Sequence, residues 1–204
     1  GVELQLLRAQ LQPHFLFNTL NNLYGLALQG SKQTAVGILK LSHILDYLLY
    51  HSARPRVPLF REIGLLENYF DLERLRYGER LRLRTDFPAE RTDLPIAPLL
   101  LLPFVENCFK HGGRNQKGVF TVEATLRAEE RRLIFELCNS KSSTAAGTAT
   151  GGIGLANIRR RLELLYPARH TLTIDEGDEH FRIQLVLEIE PAPKQFDTPW
   201  PTDA

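Results

Sequence analysis

No charge of either sign dominates this sequence: 25 Lys and Arg stand against 24 Asp and Glu, for a formal net charge of +1. That balance offers no electrostatic case for nucleic acid or an anionic membrane as a partner. Apolar runs long enough to span a bilayer, about 18 residues, are also missing. The greasiest stretch, 99–104, is short and set among prolines. Cysteine is scarce. Cys108 and Cys138 stand singly in apolar runs without metal-ligand spacing, so they read as small buried core residues of a reducing compartment. Methionine is absent altogether, and with a start at Gly1 this leads us to expect a piece of a longer protein. The part that senses a signal or anchors the protein is then expected outside it. At 204 residues there is material for one large domain or two small ones.

What is present is organised around Gln10–Asn22, where a histidine follows a proline in a segment that otherwise reads as helix. Proline inside a helix costs roughly 3 kcal/mol, so a local bend at Pro13 is expected. His14 and Asn18 are one turn apart, within about 40° of each other around the axis, and share a polar seam. On local chemistry alone, His14 reads first as a buried histidine beside a kink. The first helix reads as 2–29, broken by Gly30-Ser31, and a second as 33–51. Ile38, Leu41, Ile44, Leu45, Leu48 and Leu49 form its apolar stripe, opposite Lys40, His43 and Asp46. Such a hairpin leaves apolar surface open, which a second copy would complete as a four-helix bundle.

Residues 54–58 read as a stiff, proline-bounded connector. Beyond it the order is helix 59–77, strand 81–87, apolar helix 99–111, strands 119–126 and 133–138, a small-residue loop 140–152, helix 153–166, and strands 170–175 and 180–189. Helices and strands are mixed and successive strands are hairpin-joined. The fold class is therefore α+β, an open and mostly antiparallel sheet with helices on one face. Residues 191–204 read as a disordered tail. Two stretches offer chemistry. Glu106, Asn107, Lys110 and His111 crowd the polar end of an apolar helix, where an amide oxygen suits Mg²⁺ and the cations suit phosphates. The glycines at 151–154 precede a helix, where backbone N–H groups and the helix dipole favour an anion. Each is also readable as an ordinary solvated helix end or loop. Arg159-Arg160-Arg161 read as a solvated surface, since consecutive helical residues point in different directions.

Four blocks taken together are more specific: QLQPHFLFNTLNNL at 10–23, NYFDLERLRYGERL at 68–81, LLPFVENCFKHG at 101–112 and TGGIGLANIRRRLELLY at 150–166. In this order and spacing they resemble the LytS-like sensor histidine kinases. The resemblance implies dimerisation and phosphoacceptor helices at 1–53, a linker at 54–58, and an ATP-binding domain of the GHKL (Bergerat) fold at 59–190. It implies that His14 is phosphorylated and that Asn107 of the N-box holds Mg²⁺, with Lys110 and His111 near the phosphates of ATP. Gly152, Gly154 and Leu155 fall on the G-box, and 140–152 on the mobile lid. Asn18, one turn after His14, would orient water for dephosphorylation of a partner.

Two residues depart from the family pattern. Phe15 stands where the broad kinase family has an acid beside the histidine, which leaves Glu106 of the ATP-binding domain as candidate base. Asn139 stands where an adenine-reading aspartate is expected, so modest ATP affinity and weak discrimination against GTP are expected. The reaction implied is autophosphorylation of His14 and transfer to a response-regulator aspartate. The expected partners are a second copy of the chain and a regulator with a LytTR-type DNA-binding domain. Nucleic acid is not bound directly, and the kinase region is expected to be the cytoplasmic portion of an inner-membrane protein. The alternative is a degenerate, non-catalytic dimeric scaffold, motivated by Phe15 and Asn139. A gyrase-type ATPase is excluded by Pro103, which occupies the place of its catalytic glutamate.

Overall fold

The computed structural model describes residues 13–90, 92–113, 118–129, 131–141 and 153–190. Helix α1, Pro13–Leu28, and helix α2, Gln33–Asp46, form the expected hairpin. Its turn closes at Gly30, whose φ of 64° is open to glycine without strain. The bend expected at Pro13 depends on residues 1–12, which lie outside the described residues. A π-helical turn, Tyr47–His51, extends α2 where a continued α-helix was expected.

The apolar stripe of α2 is two stripes. Gly37, Leu41, Ile44 and Tyr47 are buried within the chain, while Ile38, Leu45 and Leu49 are exposed with Val36 and Leu39. The reason is a neighbour that helical periodicity cannot foresee, helix α3, Leu59–Tyr77. Gly37 permits the approach: a Cβ there would overlap Leu23 of α1 and lie 3.1 Å from Leu75 of α3. Lys40, expected on the outer side, instead pairs with Asp71 of α3 at 2.9 Å.

Strand β1, Val57–Pro58, pairs antiparallel with β3, Pro95–Ile96, so the end of the connector belongs to a small two-stranded sheet. The main sheet contains β2, Leu81–Asp86; β4, Phe120–Glu129; β5, Arg132–Ser140; β6, His170–Glu176; and β7, His180–Glu188. Its order is β2-β4-β5-β7-β6, antiparallel except for the parallel pair β2–β4. Alternation along β4 buries Phe120, Val122, Ala124 and Leu126, and along β5 Leu133, Phe135 and Leu137. The other face is polar: Glu136 accepts hydrogen bonds from Thr125 and Gln184 across neighbouring strands, at 3.3 and 2.6 Å. Cys138 lies on this face and is half-buried, whereas Cys108 is buried as expected.

Helices α4, Leu102–His111, and α5, Ile153–Leu165, cover the apolar face together with α3. Helix α4 starts three residues later than expected because Leu99 adopts φ 55° and turns the chain first. Arg161 is not a solvated surface residue. It is buried and donates to the carbonyl oxygens of Leu99, at 2.7 Å, and Pro98, at 2.5 Å. The carboxylate of Glu62, 0 % exposed, binds the same turn. It accepts from the N–H groups of Leu99, Leu100 and Leu101 at 2.6, 3.2 and 3.4 Å and from the Tyr47 hydroxyl. No helix among the described residues is long and apolar enough to cross a membrane.

Candidate active site

Two clusters converge on α4. Asn107 is half-buried and points to α5. A Cβ on Gly154 would lie 2.8 Å from Asn107 Oδ1 and 3.2 Å from its Nδ2. Only a residue without a side chain lets the two helices meet this closely with the amide between them. Two blocks separated by almost 50 positions of chain are thus one place in space. We expect Gly154→Ala to displace the Asn107 amide and weaken ATP binding about tenfold by calorimetry. Leu155 follows on α5 and packs against the core. Lys110 and His111 end α4, exposed, with burial and Lys110 both holding the His111 imidazole below its ordinary pKa. Gly152 and most of the loop 140–152 lie outside the described residues, as does the tail 191–204.

Glu106, one residue before Asn107, is turned about 100° from it around the helix. It lines a cavity of about 330 Å³ with Phe15, Tyr69, Glu73, Arg76 and Lys110. The Glu106 carboxyl is buried, and its Oε1 has no hydrogen-bond partner among the described residues. Burial pushes it up to about 8 against the pull of Lys110. Glu73, also buried, is pushed up to about 7 despite two 3.2 Å contacts from the Arg76 guanidinium. An acid whose folded pKa is raised binds its proton more tightly folded than unfolded. Stability then falls as pH rises from the unfolded value through the folded one. We therefore expect the chain to gain on the order of 1–2 kcal/mol per group on acidification from pH 8 to 6. Urea titrations at both pH values check this, and Glu73→Gln removes its share.

Asn18 is half-buried on α1, and the backbone of His14 lies in the first turn of that helix. Asn139, the penultimate residue of β5, is buried, its Nδ2 donating to the Ser140 carbonyl oxygen at 3.0 Å. That bond uses the donor end of the amide, and Oδ1 is its acceptor end. Glu73, Tyr69 and Phe15 were not foreseen as site residues. The only signal was negative, an aromatic residue where an acid was expected.

A family model described as histidine kinase matches residues 2–81. The sensor histidine kinase BtsS of Escherichia coli K12 is 29 % identical over 188 residues, covering 91 % of this chain and 33 % of its own length. The sensor protein LytS of Enterococcus faecalis is 26 % identical over 208 residues, covering 92 % and 34 %. Residues 2–81 thus match the histidine kinase model, and nearly the whole chain is similar to sensor histidine kinases. Its fold is shared with the histidine kinase domain of the blue-light activated kinase of Erythrobacter litoralis EL346. That match has a TM-score of 0.50 at 11 % identity, over 92 % of this chain and 91 % of that one. A bacterial phosphotransferase gives a TM-score of 0.52 at 9 % identity, over 91 % and 96 %. The chain spans about a third of the length of the curated relatives it matches. Its described part is α+β with a mixed five-stranded sheet, the fold expected of the GHKL class.

Proposed function

We propose that the chain is the kinase region of a two-component sensor, with 1–53 as dimerisation and phosphoacceptor helices and 59–190 as the ATP-binding domain. The observation that carries this reading is the contact of Asn107 with Gly154, N-box against G-box. Asn107 offers a neutral carbonyl oxygen, the donor type that Mg²⁺ takes alongside phosphate oxygens, and so fits as its protein ligand. Bound there, Mg²⁺ offsets the charge of the triphosphate. Lys110, at the end of the same helix, offsets charge on the remaining phosphate oxygens, and the neutral His111 imidazole donates a hydrogen bond to them. The Oδ1 of Asn139 accepts from the adenine amino group, which favours ATP over GTP more than the bare amide suggested. Gly152 and Leu155 complete the cradle.

In the reaction, a neutral imidazole nitrogen of His14 attacks the γ-phosphorus. The N–P bond forms as the P–O bond to the β-phosphate breaks, and ADP leaves with that electron pair. The proton on the other imidazole nitrogen passes to the carboxylate form of Glu106, the minority form at neutral pH because burial pushes its pKa up to about 8. Positioning and charge neutralisation supply most of the acceleration. Phospho-His14 then transfers to an aspartate of a response regulator, one with a LytTR-type output domain, and Asn18 orients water in its dephosphorylation. Phe17, Leu20, Tyr24 and Leu28 of α1 and Val36, Ile38, Leu39 and Leu45 of α2 are exposed. Together they form the apolar face on which a second copy completes a four-helix bundle. The sensing part, beyond this chain, ties it to the membrane.

Label from ATP should enter the protein in an acid-labile, base-stable form. Asn107→Ala should remove Mg²⁺-dependent ATP affinity in calorimetry while leaving the melting temperature unchanged. Unchanged affinity in that variant overturns the site.

A further inference from the structure

Phe15, directly after His14, is buried against the ATP-binding half of its own chain. Its ring stacks on Tyr69 of α3, with centroids 4.4 Å apart and planes inclined by 19°. The stacked pair walls the cavity whose other sides carry Glu73, Arg76, Glu106 and Lys110. Tyr69 in turn meets Phe109 of α4, centroids 6.0 Å apart, so the stack is continuous with the helix that bears Asn107. Thr19 and Leu23 carry the burial one and two turns further along the same face of α1. Successive residues of a helix are separated by about 100°, so seating Phe15 fixes the rotation of α1.

Resting on the reading of His14 as phosphoacceptor, we propose that Phe15 is a positioning residue. It docks the phosphoacceptor helix on the ATP-binding domain of the same subunit, so that phosphoryl transfer runs within one subunit. Where the broad kinase family has an acid, this chain has an anchor. The carboxyl is supplied from the cavity wall, by Glu106. The transfer exchanges the P–O bond to the β-phosphate for an N–P bond within one chain, with ADP leaving and the imidazole proton passing to Glu106. A misplacement of about 1 Å costs on the order of a hundredfold in rate, which sets the expected size of the effect.

Two experiments on the full chain test this. Heterodimers of a His14→Gln subunit and an Asn107→Ala subunit, purified through two different tags, should take no label from ATP. One subunit lacks the acceptor and the other lacks the site. Label in the Asn107→Ala subunit would mean transfer between subunits and would overturn the proposal. In homodimers, Phe15→Ala should lower kcat for autophosphorylation about a hundredfold with KM for ATP unchanged, and Phe15→Tyr, which keeps the stack, should restore most of it. Phosphoramidate, a small donor that bypasses the ATP-binding domain, should still phosphorylate His14 in Phe15→Ala, separating lost positioning from lost folding. Unchanged kcat in Phe15→Ala also overturns the proposal. If the unmutated chain takes label that His14→Gln retains, the fault lies instead in the reading of His14.

Discussion

His14→Gln takes no label from ATP, and its affinity for the nucleotide equals that of the unmutated chain. This is the largest effect we expect of any single substitution, a fall to background. Glutamine keeps a polar side chain of similar reach but has no nucleophilic nitrogen, since its amide lone pair is delocalised. Five other histidines could in principle take the label, and the structure gives each a different occupation. His170 Nδ1 lies 2.8 Å from the Tyr166 carbonyl oxygen, and His180 Nε2 lies 3.2 Å from Asp175. His51 is buried at the end of the π-helical turn. His111 belongs to the proposed phosphate site itself, and His43 sits on α2, on a helix without the Pro-His pattern. Separating the variant from ATP-binding defects takes one further measurement, calorimetry with ATP and Mg²⁺. Label persisting in His14→Gln would remove His14 from the mechanism, whatever the rest of the site does.

The second large effect concerns stability. Glu62→Ala deletes the acceptor of four buried donors: the Tyr47 hydroxyl and the N–H groups of Leu99, Leu100 and Leu101. Each buried donor left without a partner costs about 1–3 kcal/mol, although the turn relaxes enough that the sum is not reached. Removing one side of a buried charged network costs about 3–5 kcal/mol in comparable cases. For a chain of this size that lowers the melting temperature by roughly 6–20 °C. Tyr47→Phe removes one donor and leaves the other three in place, so its loss should be near 1 kcal/mol. Burial raises the pKa of Glu62, against the pull of its hydrogen-bond donors and Arg161. Glu62→Gln, which keeps an acceptor oxygen, should fall between the other two. Thermal melts that place Glu62→Ala within 2 °C of the unmutated chain, about 1 kcal/mol or less, would show that the turn holds itself.

Elements with a clear period were legible before the structure. The helices at 59–77 and 153–166 and the strands at 170–175 and 180–189 differ from the observed ones only at their ends, because period and punctuation are local. The candidate site was legible where its residues are close in sequence, as with Asn107, Lys110 and His111. What stayed hidden depends on neighbours far along the chain. Arg159, Arg160 and Arg161 look alike in sequence, and only the carbonyl groups of Pro98 and Leu99 single out the third. The stripe of α2 is split by α3, which no pattern internal to α2 records. Glu62 looks like one more charge on an amphipathic helix, and its four donors come from two distant segments. Phe15 registered as a missing acid because its partner, Tyr69, lies beyond the connector.

The parallel pairing of β2 with β4 also says something about the order in which the molecule assembles. Strands β4 and β5, and likewise β6 and β7, are antiparallel neighbours in sequence and can zip from their turns. Strand β2 cannot, because the chain from 87 to 119, with all of α4 in it, must first cross over the sheet. The pairing of Leu81 with Phe120 closes behind that crossing. We therefore expect this edge strand to join after the two hairpins have closed, together with the helix carrying Asn107.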